Sequence, residues 1–179
     1  MLAAGVSPNA ITFYAVFPAC GDIGAERRGR ELHAHIIKKG IPIDDFLGAA
    51  LIKMYARTGA LDEAAALFSS MRQENPDRCG VSMWNAMIGA YGYHRHITEA
   101  LELFHQLASP SNEGRVKPNE VTFAAALGAC SHGGMVDIAL QLIGMMRSRF
   151  GITPNAHHHT CVIDALGRAA TGGREISSR

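Results

Sequence analysis

Val81-Ser-Met-Trp-Asn-Ala-Met-Ile-Gly-Ala-Tyr91 lines up, position for position, with Glu120-Val-Thr-Phe-Ala-Ala-Ala-Leu-Gly-Ala-Cys130. Ala10-Ile-Thr-Phe-Tyr-Ala-Val-Phe-Pro-Ala-Cys20 and Asp45-Phe-Leu-Gly-Ala-Ala-Leu-Ile-Lys-Met-Tyr55 fall in the same register. Copies therefore start at 10, 45, 81 and 120, and a fifth opens at Ala156. A period near 35 residues decides the architecture, because a unit of that size must share its core with its neighbours. The repeats are expected at 10–44, 45–80, 81–119 and 120–155, with 1–9 as the tail of a preceding unit and 156–179 as an incomplete one.

Within each copy, apolar residues recur twice at helical spacing. The third gives Trp84, Met87, Ile88 and Tyr91, then Ile97, Ala100, Leu101 and Phe104; the fourth gives Phe123, Ala126, Leu127 and Cys130, then Val136, Ala139, Leu140 and Ile143. Such i, i+3, i+4, i+7 stripes predict two amphipathic helices per copy. Gly24, Gly59 and Gly134 share one position between the two helices, where glycine accepts a left-handed turn, and Arg95 stands there in the third copy. Five positions on, Gly29, Ala64, Ala100 and Ala139 are small, as close helix packing demands. Asn9, Asp44, Asn119 and Asn155 each follow a proline-containing stretch and precede a helix, the pattern of an N-cap. The expected fold is all-α, a solenoid of αα-hairpins wound as a right-handed superhelix. The closing stretch from Thr171 carries no apolar stripe and reads as a frayed end.

The 179 residues carry 17 Lys and Arg against 16 Asp and Glu, a net charge of +1, so no global positive field attracts polyanions. No apolar run reaches the roughly 18 residues of a membrane span. Cys20, Cys79, Cys130 and Cys161 lie too far apart for a C-x-x-C metal or redox motif. Cys20 and Cys130 occupy a core position of the repeat, whereas Cys79 sits in an inserted loop, residues 73–80, and is expected to be an exposed thiol. His157, His158 and His159 are consecutive on a helix and point about 100° apart, so they cannot converge on one ion. Neither a metal, nor a cofactor, nor a small-molecule substrate is expected.

These strings resemble the pentatricopeptide repeat family, specifically its plant organellar subclass in which P, L and S repeat variants alternate. Glu31-Leu-His-Ala-His-Ile-Ile-Lys-Lys-Gly40 resembles an L repeat, Ala50-Leu-Ile-Lys-Met-Tyr-Ala-Arg-Thr-Gly-Ala-Leu-Asp-Glu-Ala64 an S repeat, and Trp84-Asn-Ala-Met-Ile-Gly-Ala-Tyr91 a P repeat. Ala129-Cys-Ser-His-Gly-Gly-Met-Val-Asp137 and Cys161-Val-Ile-Asp-Ala-Leu-Gly-Arg-Ala169 resemble the final L and S repeats. The order implies a fragment of a larger RNA-binding factor of mitochondria or chloroplasts, acting in RNA editing or processing alongside other such factors. No H-x-E with a downstream P-C-x-x-C is present, so the chain is not expected to be an enzyme, and deamination is not expected of it.

The resemblance further implies that each repeat reads one base with its fifth and last residues. The third copy offers Asn85 and Asn119, an amide pair suited to a pyrimidine edge. The other pairs are Tyr14 with Asp44, Ala49 with Gly80, and Ala124 with Asn155; Thr160 opens a copy whose partner is missing, and Asn9 closes the unit before the first. Ile11, Phe46 and Val121, at second positions, are candidates to wedge between bases. Two other readings compete: a peptide-binding scaffold, and a truncated relic with too few repeats to bind tightly.

Overall fold

The computed structural model describes residues 9–109 and 116–175. Nine α-helices are found among them: α1 (Ala10–Asp22), α2 (Glu26–Lys38), α3 (Asp45–Arg57), α4 (Leu61–Glu74), α5 (Val81–Tyr93), α6 (Ile97–Ala108), α7 (Glu120–Gly133), α8 (Val136–Phe150) and α9 (Ala156–Glu175). One short 3-10 turn, Pro76–Arg78, precedes α5, and no strand occurs among the described residues. No described helix is long and apolar enough to cross a membrane. The chain divides into two units, Met1–Ala90 and Tyr91–Arg179.

In the first unit α1 lies along α3, and α3 also packs on α2 and α4. Phe13 and Phe17 stack at 5.9 Å and are buried with Ile36, Leu47, Leu51, Ile52 and Met54. Each such side chain contributes about 1.5–3 kcal/mol through the apolar area it removes from water. Gly29 is buried as expected of a small-residue position, but its close neighbour is on the following hairpin: a Cβ there would lie 2.4 Å from the Met54 Sδ. The constraint is therefore set between successive hairpins and not only within one. Phe68 meets Trp84 edge-on at 5.1 Å, and the Arg72 guanidinium lies 4.5 Å from the same ring centre.

In the second unit α7 is the central helix, packed on α6, α8 and α9. Phe123 sits between Phe104, at 5.1 Å, and Phe150, at 5.4 Å. The Arg149 guanidinium donates to the Ala108 carbonyl at 2.7 Å, satisfying an acceptor at the end of α6. The buried stripe of α8 is Ala139, Leu142 and Met146, while Leu140 is 54% exposed. Spacing puts Leu140 in the core; in the structure Leu142 is buried instead, at i+3 from Ala139 and with Met146 at i+7 completing that face.

The turns follow the sequence. Gly24, Gly59 and Gly134 have φ of 65°, 87° and 64°, and Arg95 has 63°, so the third copy keeps the left-handed turn without the glycine. Helix α9 continues through the Thr171–Glu175 backbone, where a frayed end was expected. Glycine inside a helix costs about 1 kcal/mol relative to alanine, which slows but does not stop a helix already nucleated. The expected tail at 1–8 and the segment 176–179 lie outside the described residues.

Candidate nucleic-acid interface

All four expected N-caps are in place. Asn9 Oδ1 accepts the Thr12 N–H at 3.1 Å, Asp44 Oδ1 that of Leu47 at 2.8 Å, Asn119 Oδ1 that of Thr122 at 3.0 Å, and Asn155 Oδ1 that of His158 at 3.3 Å. Each satisfies a donor that the first helical turn leaves unpaired, worth about 1 kcal/mol. In α7 the cap is reciprocal, since Thr122 Oγ1 accepts from the Asn119 N–H at 3.0 Å.

The third-residue partner of Asn155 is His158, and its role was not legible in the sequence. His158 is 1% exposed; its Nδ1 accepts the Asn155 N–H at 3.1 Å and its Nε2 faces the Glu120 carbonyl at 2.9 Å. A backbone N–H needs an acceptor and a carbonyl needs a donor, so the ring is fixed as the neutral Nε2–H form. His157 and His159, either side, are exposed.

At the first repeat the fifth and last residues meet: the Tyr14 hydroxyl donates to Asp44 Oδ2 at 2.7 Å, across 30 residues of sequence. The adjacent carboxylate pushes the Tyr14 hydroxyl up to about 12. Asp44 thus caps α3 with one oxygen and holds Tyr14 with the other. Ile11 and Phe46, at the second positions on either side, are 72% and 68% exposed, and Val121 is 59% exposed. These three exposed apolar side chains share the second position of their repeats.

The second repeat lacks a polar pair. Ala49 is buried and Gly80 has no side chain, and the neighbouring carboxylate is spent: Asp45 accepts the N–H groups of Ser82 at 3.0 Å and Met83 at 2.9 Å. A Cβ on Gly80 would lie 2.7 Å from the Asp45 Cγ, so the glycine leaves the room in which Asp45 caps α5. Asn85 is half-buried on α5 in the first unit, and Asn119 caps α7 in the second. Ala124 is half-buried, Asn155 is exposed, and the exposed Thr160 turns its hydroxyl onto the Ala156 carbonyl at 3.0 Å.

Cys79 is 3% exposed, which corrects its expected exposure. The inserted residues coil into the 3-10 turn and tuck the thiol inward, where burial and the Asp45 carboxylate push it up to about 11. Elsewhere in the first unit a cleft of about 530 Å³ is lined by Ile37, Ile41, Ile43 and Leu67 together with His33, Glu63 and Arg78.

The profile of the PPR repeat matches residues 50–76, 82–109 and 121–149. A chloroplastic pentatricopeptide repeat-containing protein of Arabidopsis thaliana is 39% identical over 164 residues, covering 92% of this chain and 17% of that protein. This chain belongs to the pentatricopeptide repeat family. A mitochondrial pentatricopeptide repeat-containing protein of the same plant is 35% identical over 177 residues, 99% of this chain and 30% of its own length. The chain therefore spans less than a third of these relatives. Among solved structures, the pentatricopeptide repeat protein PPR10 from maize superposes with a TM-score of 0.64 at 25% identity, over 96% of this chain and 24% of that one. PPR10 in complex with an 18-nt psaJ RNA element gives a TM-score of 0.70 at 20% identity, over 97% of this chain and 26% of that one. The fold is thus that of a pentatricopeptide repeat solenoid, built of helical hairpins.

Proposed function

We propose that this chain binds single-stranded RNA through its helical repeats, as a non-catalytic specificity element of an organellar RNA editing or processing factor of the P, L and S type, working with other such factors. The observation that carries the reading is the Tyr14–Asp44 hydrogen bond, flanked by exposed Ile11 and Phe46. Polar groups converging from the fifth and last positions, with bare apolar side chains beside them, suit a splayed base: an edge to hydrogen-bond and two faces to stack. The RNA complex of PPR10 and the organellar names of the relatives support the same reading.

On this account Asn85 and Asn119 are the polar residues best suited to pyrimidine edges, and Asn9, Asp44 and Asn155 combine capping with contact to the strand. Ala49 with Gly80 leaves the second repeat without a reader, and Ala124 and Thr160 contribute little. The test is fluorescence anisotropy of labelled single-stranded and duplex RNA of one sequence. Preference for the single strand, weakening with salt, is expected; no binding to the single strand at low salt would favour the peptide-scaffold or relic readings instead.

A further inference from the structure

Arg95 occupies a position that three other copies give to glycine, and it adopts the same left-handed backbone, φ 63°. That conformation is strained for any side chain, and strain retained at one position points to use of the side chain. The side chain lines a cleft of about 410 Å³ together with His132 at the end of α7, the Gly133–Gly134 turn, and Arg168 and Thr171 on α9. Three groups that carry or accept positive charge thus come from three successive copies, all within the second unit.

No carboxylate lines this cleft. Elsewhere, Arg27, Arg28, Arg30 and Arg57 each face an acid. Among the described residues neither Arg95 nor Arg168 is in an ion pair. The His132 imidazole is lowered first by partial burial and then by Arg168 and Arg95; Asp164, one turn before Arg168, opposes them more weakly. The cleft therefore carries a positive field that Asp164, outside its lining, offsets only in part. Gly134 is held in the left-handed region at φ 64° and lies in contact distance of the α9 backbone at Ala169.

We propose that this cleft is a phosphate-binding site, in which Arg95 and Arg168 hold the non-bridging oxygens in bidentate fashion and His132 is the third donor. Guanidinium forks match phosphate geometry, and a glycine-lined turn lets the anion approach the backbone. The phosphate has two possible sources, a free or terminal phosphate group and the phosphodiester of a polynucleotide; the first does not depend on the RNA reading and the second does.

The experiment titrates the full chain with inorganic phosphate at constant ionic strength, using chloride as control. The readout is the His132 imidazole signal, assigned by its loss in His132→Gln. A saturable shift specific to phosphate is expected, weakened at least fivefold in Arg95→Gly and in Arg168→Gln. Arg95→Gly installs the residue the other turns use, so it is expected to raise the thermal midpoint while losing affinity, which separates a binding defect from a folding one. A parallel titration with oligouridylate and oligoadenylate distinguishes the source. Equal losses on both, with a salt slope shallower by about one per removed charge, assign the phosphodiester. Unchanged strand affinity with reduced phosphate affinity assigns the small phosphate. No saturable phosphate shift, or unchanged binding of every probe in both variants, would overturn the proposal.

Discussion

The Asp45 carboxylate accepts the backbone N–H of Met83 at 2.9 Å, so the first residue of one repeat caps the first helix of the next. The other helices described with a side-chain cap at this point of the repeat, α1, α3, α7 and α9, take it from the residue just before the helix. Where that residue is Gly80, the cap arrives from 38 residues upstream.

Removing it uncaps α5. Asp45→Ala is expected to lower unfolding free energy by about 1–2 kcal/mol, read from the denaturation midpoint at unchanged m-value. Gly80→Asn on its own is expected to destabilise by crowding Asp45. In the Asp45→Ala background the same change supplies a local cap and is expected to recover part of the loss. A double-mutant cycle with additive effects would contradict the coupling.

The contrast between these caps shows what the sequence makes legible. Asn9, Asp44, Asn119 and Asn155 act on backbone three residues away, so their pattern is local and legible in the sequence. The duplicated helical stripe and the left-handed turns at Gly24, Gly59 and Gly134 are local in the same sense. Asp45, His158 and the Tyr14–Asp44 pair act across 30 to 38 residues and exist only once the hairpins stack. Cys79 is buried for the same reason: an insertion reads as exposed loop until the 3-10 turn folds it against its neighbours. Leu140 shows the limit of spacing alone, since i, i+3, i+4 leaves a helix free to rotate by one position.

His158→Ala removes a buried ring and strands two backbone groups, the Asn155 N–H and the Glu120 carbonyl. A loss of about 2–4 kcal/mol is expected by chemical denaturation. His157→Ala, at an exposed neighbour, is expected to cost less than about 0.5 kcal/mol. Similar effects at both positions would contradict the assignment of His158 as an inter-repeat cap.

Burial pushes the Cys79 and Cys130 thiols to about 11 from an ordinary 9.0. The folded state then holds thiol protons that the unfolded chain releases near pH 9, so this contribution to stability is intact below pH 9. It is lost as pH rises from about 9 to 11, by up to about 1.4 kcal/mol per pH unit for each thiol. Denaturation midpoints at pH 7.5, 9 and 10.5 test the sign, and Cys79→Ser with Cys130→Ala is expected to flatten the decline. Rapid alkylation of Cys79 in the native protein at neutral pH would contradict its burial.

The central claim is that the repeats read bases along a single strand. It is tested most directly by equilibrium titration of wild type and Asn85→Ala against single-stranded RNA oligomers that differ at one position, cytosine or purine. Wild-type binding is expected to be modest and salt-sensitive, with preference for the pyrimidine. Asn85→Ala is expected to weaken the cytosine oligomer about fivefold or more, consistent with the 1–3 kcal/mol of an amide contact to a base edge, and to leave the purine oligomer nearly unchanged. Equal losses on both oligomers, or no binding of either at low salt, would contradict it.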